Sequence, residues 1–201
     1  MRRLVLLSLM LLSLTVVPAG ANPPEDGNQI KAVFLYNFAN FVRWPEEAFS
    51  ASGNVLKMCI FGDALLGSFL DEVDGSRVRD KRLNVIKTSE PKVIDSGCHI
   101  LFVSQEKKDF LPLFLKSKQH IYVLSVSDVE GFARNGGVVS IVRNSDKLTF
   151  EINLDVALKN GLLISSDLLS LARIVGRDGK NIDTSKLGPN DTLMRDGGKA
   201  Q

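Results

Sequence analysis

Lys31-Ala32-Val33-Phe34-Leu35-Tyr36-Asn37-Phe38-Ala39-Asn40-Phe41-Val42-Arg43-Trp44-Pro45 is the stretch around which the rest of the chain must pack. Five aromatic residues fall between Phe34 and Trp44 in a chain that is 7% aromatic, and no glycine or proline interrupts before Pro45. The spacing predicts a buried helix over residues 30–42. At the α-helical repeat Ile30, Phe34, Phe38 and Phe41 share one face, with Val33 and Val42 beside them, while Lys31, Asn37, Asn40 and Arg43 are the polar breaks. That stripe is too wide for a helix lying singly on a sheet edge, so a second layer or another chain must cover part of it.

Upstream, Met1-Arg2-Arg3 is a basic n-region, residues 4–17 form an apolar run, and Ala19-Gly20-Ala21 is a small-x-small cleavage signature. Residues 1–21 therefore read as a removed secretion signal; an uncleaved anchor would need a longer apolar run without the small-residue exit. Taking Arg2 and Arg3 from the 25 basic residues leaves 23 against 23 acidic ones, so the mature chain is formally neutral. That balance argues against nucleic acid or an anionic membrane as partner, because phosphate binding needs concentrated basic surface. No later segment reads as one that inserts into a membrane after cleavage.

Cys59 and Cys98 lie in or beside apolar, strand-like runs of the exported part. An even cysteine count in an oxidising compartment favours a disulfide between them, and two buried thiols acting as small hydrophobes are the alternative. A zinc site lacks ligands.

Organisation follows from the apolar runs. Residues 55–61 read as a buried strand, Gly62-Asp63 as a turn with a helix N-cap, and residues 64–73 as a helix. Further strands are expected at 82–87, 98–103 and 121–126, with a helix over 107–118 interrupted by Pro112. Short apolar strands alternating with helices point to a mainly parallel sheet covered on both faces. Residues 138–142 and 147–154 are close enough to form an antiparallel hairpin, and the alternation of Leu148, Phe150, Ile152 and Leu154 with Lys147, Thr149, Glu151 and Asn153 predicts one wet face near a sheet edge. Short helices follow at 155–160, stopped by Gly161, and at 166–175. The expected whole is a single-domain α/β fold over residues 22–175, a mainly parallel sheet flanked by helices with an antiparallel C-terminal hairpin. Residues 176–201, rich in Gly, Asp, Lys, Asn and Ser, read as a disordered tail, with folding onto a partner as the minority reading.

Convergent reactive groups are scarce. His99 and His120 each flank the start of an apolar strand, where a structural hydrogen bonder is commoner than a catalytic base. No nucleophile elbow, phosphate loop or dinucleotide fingerprint is present, and Gly136-Gly137 suits a strand opening better than a phosphate cradle. No catalytic residue, metal ligand or cofactor is expected. Asp63 sits where doubly wound sheets bind ligands, although helix capping explains it as well. Arg43-Trp44 sets a guanidinium beside a large amphipathic ring, which suits carboxylate or aromatic ligands and protein interfaces, with core capping by Trp44 as the plainer role.

The opening block Lys31 to Trp44-Pro45, the segments Cys59-Ile60-Phe61-Gly62-Asp63 and Cys98-His99-Ile100-Leu101-Phe102-Val103-Ser104, then Gly136-Gly137, Phe150-Glu151-Ile152-Asn153-Leu154 and residues 161–175 resemble, in order, the blocks of the YfiR family of bacterial periplasmic proteins. The resemblance implies a periplasmic α/β domain, expected as a homodimer, without catalysis or cofactor. It implies repression of an inner-membrane diguanylate cyclase through that enzyme's periplasmic sensory domain, and hence control of cyclic di-GMP and biofilm formation. Cys59 and Cys98 match a family disulfide, while a second bridge of some relatives, and any redox control that relies on it, has no counterpart here. Phe34, Phe41, Arg43, Trp44 and Asp63 are the candidate contacts to partner or ligand. The alternative is a periplasmic small-ligand receptor that passes its signal to a membrane sensor or transporter.

Overall fold

The computed structural model describes residues 27–117, 121–145 and 147–176. The expected signal over residues 1–21, His120, and the expected tail past Gly176 lie outside the described residues.

The first helix, α1, is Gly27–Phe41. Its covered face differs from the expected stripe. Ala32, Leu35, Phe38 and Ala39 are buried, Ile30, Phe34 and Phe41 are half-buried, and Val33 is 53% exposed. The reason is that α1 is covered by several elements at once, a second helix, a late helix and the sheet, so the buried arc centres on Leu35 and Ala39. The second layer is thus supplied by this chain. Lys31, one of the polar breaks, pairs with the Asp128 carboxylate, which also accepts the Gln105 N–H. The helix ends because β1, Val42–Arg43, is extended and pairs antiparallel with β9, Leu163–Ile164, Val42 facing Ile164 and Arg43 facing Leu163.

The remaining strands are β2 Val55–Phe61, β3 Arg77–Val78, β4 Lys81–Thr88, β5 Ile100–Val103, β6 Leu124–Ser127, β7 Val139–Asn144, β8 Lys147–Asn153 and β10 Arg173–Val175. Among the described residues these eight form one sheet in the order β10-β8-β7-β6-β5-β2-β4-β3. Pairing is parallel except in the β3–β4 and β7–β8 hairpins. The central strands are buried on both faces, as continuous apolar runs require. From β2, Leu56, Met58 and Ile60 enter the core beneath α1, whereas Cys59 and Phe61 enter a second core on the opposite face. Besides α1, the first core is covered by α2 Ala64–Phe69, α4 Leu154–Lys159 and α5 Ser166–Leu171, and the second by α3 Leu111–Lys116. Cys59 and Cys98 are joined inside the second core, their Cα atoms 5.9 Å apart, tying β2 to the entry of β5.

Three expectations are corrected. The helix over 166–175 stops at Leu171, and Arg173–Val175 becomes β10 alongside β8, with Arg173 opposite Glu151. The free edge of β8 and the burial of Ile174 and Val175 outweigh the helical spacing of that segment. The inner half of the expected wet face is also dry, because the turn carrying Ala133 and Arg134 lies over it: Glu151 is 6% and Asn153 1% exposed. Asn153 is satisfied there by donating to the Ala133 carbonyl at 2.8 Å and accepting the Val156 N–H at 3.1 Å. The helix over 107–118 is divided, a 3-10 segment Gln105–Phe110 preceding α3, and Pro112 falls in the first turn of α3 where it is tolerated.

Candidate functional site

Arg43 and Trp44 stand at the amino-terminal edge of the parallel sheet. Pairing of β1 with β9 turns Val42 into the core and leaves Arg43 exposed. Pro45 ends the pairing and opens a 3-10 turn, Glu46–Phe49, which brings the Phe49 ring back beneath the chain. Trp44 is half-buried, and its indole N–H donates to the Tyr122 carbonyl at 2.9 Å, so one edge of the ring is fixed.

Lys81 opens β4 and is buried, although lysine rarely is. Its ammonium lies 4.5 Å from the Phe49 ring centroid, 3.0 Å from an Asp80 carboxylate oxygen and 3.8 Å from one of Glu46. Two carboxylates and a π face therefore replace the lost water. The hydrogen bond from Lys81 is the chief reason that the Asp80 carboxyl is held below its ordinary value. Arg79 occupies a left-handed conformation, φ 56°, in the turn between β3 and β4, and its guanidinium donates to the Asn40 carbonyl at 2.6 and 3.1 Å. That carbonyl belongs to the last turn of α1, where a cation is electrostatically favoured.

A cavity of about 280 Å³ lies between these elements, lined among others by Arg43, Trp44, Glu46, Phe49, Arg79 and Lys81. Cations, the Glu46 and Asp80 carboxylates and aromatic faces converge on it. The arrangement suits a carboxylate or a flat aromatic group, and among the named lining residues there is no nucleophile paired with a base. Behind Phe49 the His99 imidazole stacks at 4.6 Å between centroids and 17° between planes. His99 Nδ1 accepts the Lys57 N–H at 3.0 Å, which leaves Nε2 to carry the proton and donate to the Ala48 carbonyl at 3.1 Å. Burial is the main cause that lowers its pKa from the ordinary 6.5, so His99 is a neutral structural group.

The structure brings Arg43 and Trp44 into one crevice and separates the other candidates from them. Phe34 packs inward, edge-on to Phe150 at 5.3 Å, and Phe41 leans on the same core. Asp63, at the far end of β2, accepts the Leu66 N–H at 2.8 Å and caps α2. Beside it Gly62 has φ 98°, and a Cβ there would lie 2.4 Å from Lys107 Cγ and 2.6 Å from Ser104 Oγ, so the Lys107 stem fills the crevice between β2 and β5. The sequence reading missed Glu46, Phe49, Arg79 and Lys81. The charge run Arg77-Val78-Arg79-Asp80-Lys81-Arg82 marks the segment that carries two of them, without showing which of its cations is buried. An apolar groove of about 360 Å³ between α1 and α2 is lined by Ala32, Val33, Tyr36, Phe69 and Val73, among others.

A family model described as YfiR/HmsC-like matches residues 28–173. Among solved structures, the ABC domain in complex with L-Trp from Streptococcus pneumonia is similar at 11% identity and a TM-score of 0.46, over 70% of this chain. The chain spans 60% of the length of that structure.

Proposed function

The chain belongs to the YfiR/HmsC-like family, matched from residue 28 to 173, and on that premise we propose that it is a periplasmic regulatory binding protein that represses a membrane-bound diguanylate cyclase through the cyclase's periplasmic sensory domain. Family membership over nearly the whole expected domain is the observation that carries this reading. Residues 1–21 act as the export signal, residues 22–175 as the binding domain, and the remainder as a tail. A homodimer is the proposed working form.

Such a protein works by population shift. A cyclase with active and inactive conformations is biased by the difference in this protein's affinity for the two, and about 1–3 kcal/mol of difference changes activity about 5- to 150-fold. Binding suffices for that role, and no chemical step is proposed.

The test compares cyclic di-GMP in cells lacking the protein, cells exporting it, and cells making residues 22–201 in the cytosol. Repression only by the exported form is expected; unchanged cyclic di-GMP across all three removes cyclase control. Phe34→Ala and Phe41→Ala, if folded, ask whether the α1 aromatics take part in dimerisation or partner contact.

The crevice at Arg43, Trp44 and Lys81 favours a second reading, a small-ligand receptor. Thermal shift of the purified domain against nucleotides and aromatic amino acids separates the two, because ligand at about 100 times its Kd adds about 2.7 kcal/mol. No shift with any of them leaves the protein-interaction reading alone.

A further inference from the structure

The hairpin of β3 and β4 forms the last edge of the eight-stranded sheet. In its register Val78 faces Lys81, and Arg77 faces Arg82. Val78 and Lys81 turn inward and are buried, so Arg77 and Arg82 stand side by side and exposed on the opposite face. Like charges directly opposite on neighbouring strands are destabilising. The other cations of the run are engaged, Arg79 by the Asn40 carbonyl and Lys81 by Asp80 and Glu46. Among the described residues neither Arg77 nor Arg82 is ion-paired.

A cavity of about 300 Å³ opens beside the pair, lined by Asn54, Gly75, Arg77, Asp80 and Arg82. A Cβ on Gly75 would come within 3.3 Å of Arg82 Nη2, so the guanidinium lies along the glycine backbone. Charged residues on a short edge strand guard against edge-to-edge pairing. Edge protection alone does not require two guanidiniums placed in register over a cavity.

We propose that Arg77 and Arg82 form a docking point for an acidic segment of the membrane partner's periplasmic portion, whose Asp or Glu carboxylates seat between the guanidiniums. This rests on the regulatory reading above and names part of its contact surface. Two guanidinium forks match carboxylate geometry. Exposure selects a protein as the source of the carboxylates: a free anion at so open a site keeps its water and gains little, whereas a covering partner surface excludes water and strengthens the pairing.

The full mature chain and its Arg77→Gln/Arg82→Gln variant are titrated calorimetrically with an acetylated, amidated octaglutamate peptide, with octalysine and with inorganic phosphate, at about 20 mM and about 300 mM NaCl. Octaglutamate is expected to bind the natural chain at low salt and to weaken about tenfold or more in the variant and at high salt, with octalysine silent and phosphate weaker. Arg82→Gln alone is expected to raise Tm at low salt by about 1–3 °C while octaglutamate binding weakens, by less than in the double variant, the signature of two charges held in conflict for contact. In cells, the double variant is expected to lose repression. Octaglutamate binding undiminished by the double substitution, phosphate binding as tight as octaglutamate, or full repression by the double variant would each overturn the assignment. Should the natural chain itself leave cyclic di-GMP unchanged, the cyclase reading falls while the peptide titration still judges this surface.

Discussion

Arg134 grips Glu151 as a fork, Nε donating to Oε2 at 3.0 Å and Nη2 to Oε1 at 2.7 Å, with the carboxylate side chain only 8% exposed. Arg173 approaches the same oxygen at 3.5 Å from β10, so one buried charge links the turn before β7, the hairpin strand β8 and the edge strand. Removing Arg134 strands that charge. Arg134→Ala is expected to destabilise the fold by about 2–3 kcal/mol, less than for a fully buried pair because Arg134 is partly solvated and Arg173 remains. Arg134→Lys should recover less than half of it, since an ammonium cannot form the fork. Urea denaturation of the three proteins measures both differences.

The bridge between Cys59 and Cys98 spans a sequence separation of 39. In the chain-entropy description closing a loop of that size stabilises by about 4 kcal/mol. A Cys59→Ala/Cys98→Ala variant is expected to lose about 2–4 kcal/mol, and reductant should lower the urea midpoint of the natural chain but leave that of the variant unmoved. Equal midpoints for both proteins under oxidising conditions would refute the stabilising role.

His99 predicts a pH dependence whose sign is fixed. Its folded pKa lies below the ordinary 6.5, because burial disfavours the imidazolium. The unfolded chain therefore takes up the proton first as pH falls below about 6.5, and the stability that neutral His99 contributes is lost from there downward until the folded value is passed. Tm measured at pH 7.5 and then towards pH 5 should fall, and the fall should be smaller in His99→Gln. A fall of the same size in the variant would assign the effect to other groups.

Gly137 tests the packing of the second core. Its φ is not left-handed, yet a Cβ there would lie 2.2 Å from Cε1 and 2.4 Å from Cζ of the buried Phe132 ring. Gly137→Ala is expected to cost about 1–3 kcal/mol through overpacking. Adding Phe132→Leu should cost less in that background than in the natural chain, which a double-mutant cycle reads directly.

Much of the architecture was legible because it is written in long apolar runs. The runs at 55–61 and 98–103 carry central strands, the second beginning only at Ile100, and the hairpin of β7 and β8 followed from alternation and a short turn. Illegible elements were those whose state is set by distant partners. Residues 173–175 continue a helical spacing and become a strand only because β8 offers a free edge. Val42–Arg43 is two residues long and owes its form to Leu163–Ile164. Of the site, Arg43 and Trp44 were visible as an unusual pair, but Lys81 was not. Nothing local distinguishes a buried lysine from a solvated one until Phe49, Glu46 and Asp80 are brought around it.

The ribbon between Val42–Arg43 and Leu163–Ile164 also orders events in time. The first helix is made early, yet the strand that fastens its end, and the Phe150 against which Phe34 and Phe38 rest, arrive more than a hundred residues later. Contacts so distant along the chain are slow to close, so the Phe34 and Phe38 rings wait for Phe150 even after α2 has packed on the helix. Synthesis from the amino end thus lays these rings bare early and shelters them late, which makes this side of the helix the part of the described chain most open to wrong contacts while folding is under way.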